Sequence, residues 1–256
     1  IFIHKRRNGV IFYNKDDCNL RRLTDGYKGK RISFGSSGNC DFYPMSIKEN
    51  GLSQEFICFK KKKKLGNVYI NIPGRHNVFN ALTAISCGLE FGLEFDKMRD
   101  ILSTFQGVKR RFEIKAGVND IILVEDYAHH PTAIKAVIGT ASKLDRKRVI
   151  VIFQPHRFTR TVYLEKEFSK AFNDVDKLIL TDIYAANEDP IEGVSIKNIY
   201  NGVKKEGSKS VKTLPKDEIA PYLKKIVRSG DIILVLGAGD INGIIPDIEK
   251  FLKRKI

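Results

Sequence analysis

The chain has 256 residues, 42% hydrophobic and 10% aromatic, an ordinary globular supply that suits two domains better than one. Its formal charge of +15 would match a phosphate-rich partner, but the lysines are scattered along the whole length and their one dense run has no interleaved aromatics, so no nucleic-acid partner is expected. Cys18, Cys40, Cys58 and Cys87 lack metal-ligand or disulfide-framework spacing and read as reduced cytosolic thiols; no apolar run reaches the roughly 18 residues of a membrane span, so no membrane partner is expected.

The opening "IFIHKRRNG" is too short and wrongly ordered for a signal peptide, and a start at Ile rather than Met suggests a missing upstream portion. From there to about Asn71 come short alternating segments: "GVIFYN", "KRISFG", "CDFYPMSI", "QEFICF" and "NVYINI". The run Lys60–Lys64 lies between the last two, where a hairpin tip solvates like charges cheaply. After a Pro-Gly break the period changes: Val78, Leu82, Ile85 and Leu89 recur at helical spacing, with His76, Asn77 and Asn80 in the first turns. A second helix, "FDKMRDILSTF", leads to the polar "QGVKRRFE", which places a domain boundary at 107/108.

Beyond it stand a hairpin ("FEIKAGV", "IILVED") and then alternating helices and strands, with strands at "RVIVIF", "KLILTD", "SVKTL" and "DIILVLG" and helices at "TAIKAVIGTASKL", "LEKEFSKAF", "IKNIYNGVKK", "EIAPYLKKIV" and the terminus. This order predicts an α/β fold with a mostly parallel sheet covered on both faces, its ligand groups just past the carboxyl ends of the strands.

Four polar clusters fall there: "EDYAHHP", "QPHRFTRT", "TDIYAANEDP" and "GAGDING". Arg157 and Arg160, three apart, would share one helix face if the helix has already started there, and could then grip a single small anion; surface pairing with Glu165 or Glu167 is the competing account. Adjacent His129 and His130 diverge, which disfavours joint chelation, and with Asp126 and Tyr127 they suit substrate or nucleotide contacts better than a metal cage. The glycines of "GAGDING" are spaced G-x-G-x-x-x-G without a downstream ribose-binding acid, so a tight turn is preferred to a dinucleotide site. Asn77 could be a helix cap, or with Asn80 could meet an adenine edge; spacing leaves both open.

In this order "GRHNVFNALTA", "GVKRRFE", "EDYAHHPTAIKA", "FQPHRFTRT", "DIYAANEDPIEG" and "LGAGDI" closely resemble motifs of the Mur peptide ligases, specifically the UDP-N-acetylmuramate:L-alanine ligases. The resemblance covers essentially the whole chain and implies the end of a central ATP-binding domain (1–107) followed by a Rossmann-like carboxy-terminal domain (108–256). It implies a cytoplasmic, ATP-dependent ligation of L-alanine to UDP-N-acetylmuramate through an acyl phosphate, in peptidoglycan precursor synthesis. His76, Asn77, Asn80, Arg111 and Asp126 would hold ATP; Tyr127, His129, Arg157 and Arg160 would surround L-alanine. No G-x-x-x-x-G-K-[ST] loop is present, and the Mg2+ ligands implied by the resemblance have no counterpart in this chain. The expectation is therefore a rear portion of the ligase, inactive alone, with its oligomeric state unspecified. A murein-recycling ligase that joins a ready-made tripeptide to the same sugar nucleotide, and a stand-alone nucleotide-binding module, are the alternative readings.

Overall fold

In the computed structural model, which describes residues 9–207 and 210–253, the chain forms two units, 1–106 and 107–256. The first is a five-stranded sheet in the order β1 (Val10–Asn14), β2 (Lys30–Phe34), β3 (Phe42–Asn50), β4 (Ser53–Lys60) and β5 (Lys63–Ile70). The first three strands run parallel and the last three antiparallel. Helix α1 (Cys18–Thr24), which periodicity did not reveal, connects β1 to β2; Asp17 caps it by accepting from the amides of Asn19 (2.8 Å) and Leu20 (3.0 Å). Helix α2 (Arg75–Glu90) buries the predicted stripe: Val78, Ala81, Leu82 and Ile85 join Phe42, Phe56, Val68 and Ile70 in one core. Each large aliphatic side chain there contributes about 1.5–3 kcal/mol. Helix α3 (Phe95–Thr104) closes the unit through Met98.

The lysine run does stand at the tip of the β4–β5 hairpin. Lys61 and Lys62 take φ of 45° and 67°, the left-handed pair that a two-residue hairpin turn demands, here without the usual Asn-Gly.

The second unit is a six-stranded sheet. Its strands, in chain order, are β6 (Glu113–Val118), β7 (Ile121–Asp126), β8 (Arg148–Phe153), β9 (Lys177–Leu180), β10 (Val211–Thr213) and β11 (Asp231–Leu236), arranged in space as β10-β9-β8-β11-β7-β6. Every pairing is parallel except the β6–β7 hairpin. The runs "RVIVIF" and "DIILVL" are the two central strands. Because successive side chains alternate, Ile150, Ile152, Ile233 and Val235 pack on one face against α8 (Lys216–Ile226) and α9 (Ile245–Lys253), while Phe153 turns to the rings of Phe168 and Phe172. The remaining helices are α4 (Pro131–Ala141), α5 (Phe158–Tyr163), α6 (Glu165–Ser169) and α7 (Ile196–Lys205). The helix expected at 164–172 is shortened to α6, and a separate short helix, α5, precedes it; the two break at Leu164, whose φ of −117° leaves the helical region. No helix among the described residues is long and apolar enough to cross a membrane.

Candidate ligand site at the strand ends of the second unit

The carboxyl ends of β7, β8, β9 and β11 carry the polar clusters, as expected of a parallel sheet. Asp126 closes β7, is 4% exposed, and accepts from the amides of Phe112 and Ala128, both at 2.7 Å. It thereby ties the 110–112 turn to the strand end. That turn is strained, with φ of 59° at Arg110 and 46° at Phe112. Its two arginines have separate tasks. Arg110 donates to the carbonyls of Gly237 (2.8 Å) and Gly239 (3.2 Å), makes a 2.8 Å charge contact with buried Glu125, and lies 4.8 Å over Tyr127. Arg111, the residue singled out from sequence, stays exposed with its guanidinium 5.7 Å from the same ring.

A row of rings crosses the strand ends. Tyr127 meets His129 edge-on at 5.3 Å, His129 lies 5.7 Å from His156, and His156 stacks on Tyr184 at 5.5 Å. Both histidines of the "HH" pair use the backbone: His129 Nδ1 lies 2.8 Å from the Tyr127 carbonyl, and His130 caps α4 through a 3.4 Å contact from the Thr132 amide. The two Nδ1 atoms thus meet different backbone groups, and among the described residues no three His, Cys, Asp or Glu side chains converge on a metal position.

Arg157 is not on the helix. It precedes α5 with φ 76°, a left-handed conformation unusual for a non-glycine residue, and its partner is neither Glu165 nor Glu167 but Glu188, at 3.6 Å. Glu188 also accepts from the Thr159 hydroxyl (2.7 Å) and amide (3.1 Å), bonds that, with Arg157, hold its carboxyl below the usual carboxylate range. Arg160 sits one turn on, donating at 3.1 Å to both the Nδ1 and the carbonyl of His156. His156, Tyr184 and Glu188 were not singled out from sequence. The bridge of His156 to Tyr184 joins segments 28 residues apart, so only the polar character of "TDIYAANEDP" could have signalled them. At "GAGDING" the turn brings Gly239 so close that a Cβ there would lie 2.5 Å from Tyr184 and 2.6 Å from the Gln154 carboxamide, so glycine is needed for packing.

Burial first, and then Arg160 and other nearby cations, lower the pKa of both His129 and His156. Folded-state values below the unfolded one mean that the unfolded chain takes up protons first as pH falls. Their stabilising share is then complete above about pH 6.5 and lost as pH drops through the depressed values. Thermal melts between pH 8 and 5 should show this decline, and replacing both histidines by asparagine should flatten it; an unchanged slope would refute the assignment.

In the first unit, α2 begins after Gly74 rather than at Asn77, so Asn77 is not the helix cap. Gln54, 1% exposed, donates to the carbonyls of Ile72 and Gly74, both at 2.9 Å, and fixes the turn. Asn77 donates to the Pro73 carbonyl (2.6 Å) and accepts from Asn80 (2.9 Å), while His76 and Asn80 lie exposed on the helix start. The sequence-derived residues therefore form two groups, one on each unit.

Residues 1–88 match the Mur ligase middle domain, and residues 110–239 match the Mur ligase, glutamate ligase domain. The UDP-N-acetylmuramate--L-alanine ligase of Geotalea daltonii is 41% identical over 91% of this chain and 52% of its own length. The chain spans about half the length of the curated relatives it matches. Among solved structures, UDP-N-acetylmuramate-alanine ligase from Thermotoga maritima superposes with a TM-score of 0.74 at 26% identity, over 96% of this chain and 51% of that one. A murein peptide ligase from Psychrobacter arcticus gives 0.69 at 25%, with the same coverage. Motifs, fold and matched domains agree: the chain belongs to the Mur ligase family.

Proposed function

We propose that this chain serves the ATP-dependent ligation of L-alanine to UDP-N-acetylmuramate, in the cytoplasm, through an acyl-phosphate intermediate. The supporting observation is the grouping of Arg157 and Arg160 with the His129–His156 row at the strand ends. Two guanidinium groups suit the carboxylate of an amino acid too small to offer another handle. Asp126 holds the 110–112 turn, leaving Arg111 exposed toward a nucleotide phosphate, and the tied carboxamides of Asn77 and Asn80 offer donor and acceptor atoms to adenine. ATP, when bound, supplies the phosphoryl group that activates the substrate carboxylate.

The test is an assay of the complete gene product. Phosphate release requiring both UDP-N-acetylmuramate and L-alanine is expected. Dependence on the tripeptide instead would assign the recycling activity, and neither dependence would leave a nucleotide-binding module. The 256-residue chain alone, without a G-x-x-x-x-G-K-[ST] loop, is expected to give no alanine-dependent phosphate; measurable release from it would refute this.

A further inference from the structure

We propose that His129 is the catalytic base that takes the proton from the amino-acid nitrogen as the amide forms, a role that rests on the ligase reading above. The argument starts from hydrogen-bond chemistry. The Tyr127 carbonyl can only accept, so the 2.8 Å contact with His129 Nδ1 places a proton on Nδ1 and leaves the lone pair on Nε2. In His156 the assignment reverses. The Arg160 guanidinium can only donate, so at 3.1 Å it requires an unprotonated Nδ1, and the neutral ring carries its proton on Nε2. Two imidazoles 5.7 Å apart thus present opposite groups, an acceptor on His129 and a donor on His156.

That pairing fits the two ends of an amino acid. Its carboxylate belongs with the donors, His156 Nε2–H, Arg157 and Arg160; its nitrogen belongs with His129. The free amine attacks the acyl carbon with its lone pair, the carbonyl π pair moves to oxygen, and the nitrogen of the tetrahedral adduct becomes cationic. His129 Nε2 accepts one proton from it, the oxyanion re-forms the carbonyl, and the C–O bond to phosphate breaks with its electron pair leaving on phosphate. An adduct ammonium is far more acidic than a free one, so a weakly basic imidazole suffices. The charged and titratable groups facing His129 are Arg111, Arg160, His130, His156 and Tyr127. Burial first, and then the two arginines, disfavour a protonated ring at rest, keeping the acceptor available at neutral pH.

The experiment uses the complete gene product and His129→Gln, whose side-chain oxygen can still accept a hydrogen bond but not a proton. Hydroxylamine trapping reports acyl phosphate without using the amino-acid site, and amide formation is followed in parallel across pH. The expected result is hydroxamate at wild-type yield, kcat for amide lower by about 100-fold or more, KM for L-alanine within about threefold, and loss of the acidic limb of the pH profile. Should His129→Gln aminate at the wild-type rate with the limb intact, the base assignment is overturned while the ligase reading stands. Equal loss of hydroxamate and amide would make His129 structural and also overturn it. A wild type forming neither product would end the ligase reading and this role together. Histidine 15N spectra of the wild type offer a check independent of folding in the variant: the Nδ1–H tautomer is required at His129, and the Nε2–H tautomer refutes the proposal.

Discussion

Asp231→Ala is expected to destabilise the second unit by about 3–5 kcal/mol, the cost of breaking a buried ion pair from one side. Asp231 is 0% exposed and sits opposite Arg148 in the β8–β11 register, at the strand ends remote from the ligand residues. Its carboxylate receives Arg148 Nε at 2.7 Å, Arg148 Nη2 at 2.6 Å and the Arg228 amide at 2.7 Å, and Arg148 also donates to the Ile226 carbonyl at 3.0 Å. Both partners hold the two central strands to the chain that precedes β11. Removing the carboxylate leaves a guanidinium that is 21% exposed without its counter-charge and an amide without its acceptor. A melting temperature lower by roughly 10 °C should follow. The paired variant Asp231→Leu with Arg148→Met should recover much of the loss, because burying a pair costs desolvation that an apolar pair avoids. Denaturant titration of Asp231→Leu, Arg148→Met and the double closes the cycle; Asp231→Ala within about 1 kcal/mol of wild type would show that water replaces the pair freely.

What the sequence made legible follows the range of the interaction involved. The runs "RVIVIF" and "DIILVL" read as buried parallel strands because every position after the first is apolar, and both are central in the sheet. The stripe of α2 read correctly because Val78, Leu82 and Ile85 keep helical spacing. Helix α1 escaped because seven residues carry too little period, although Asp17 offered a capping signal. Whether a helix had begun at Arg157 stayed open in the sequence because the left-handed turn there is held by the Tyr184 carbonyl and Glu188, which lie some 30 residues away. Likewise Arg110 and Arg111 are indistinguishable in "KRRFE"; what separates them is a pair of glycine carbonyls more than 120 positions along the chain. Local chemistry named the clusters, and tertiary contacts divided the work within them.

That division makes Arg157 the sharper test of carboxylate recognition. At φ 76° it stores backbone strain of about 1–3 kcal/mol, and glycine at this position relieves the strain while adding some disorder to the unfolded chain. Arg157→Gly should therefore fold with stability near wild type or slightly above it. In the complete gene product it should nevertheless raise KM for L-alanine by about 10- to 100-fold, since a charged hydrogen bond is worth about 1.5–3 kcal/mol. Arg160→Ala should cost at least as much, because it also releases His156 from the contact that fixes its ring. A further substrate separates charge recognition from general disturbance. L-Alaninamide lacks the carboxylate, so the wild type should prefer alanine strongly, and Arg157→Gly should narrow that preference by lowering only the reaction of alanine. If alanine and its amide suffer equally, Arg157 shapes the loop without gripping the substrate, and its ion pair with Glu188 is its whole purpose.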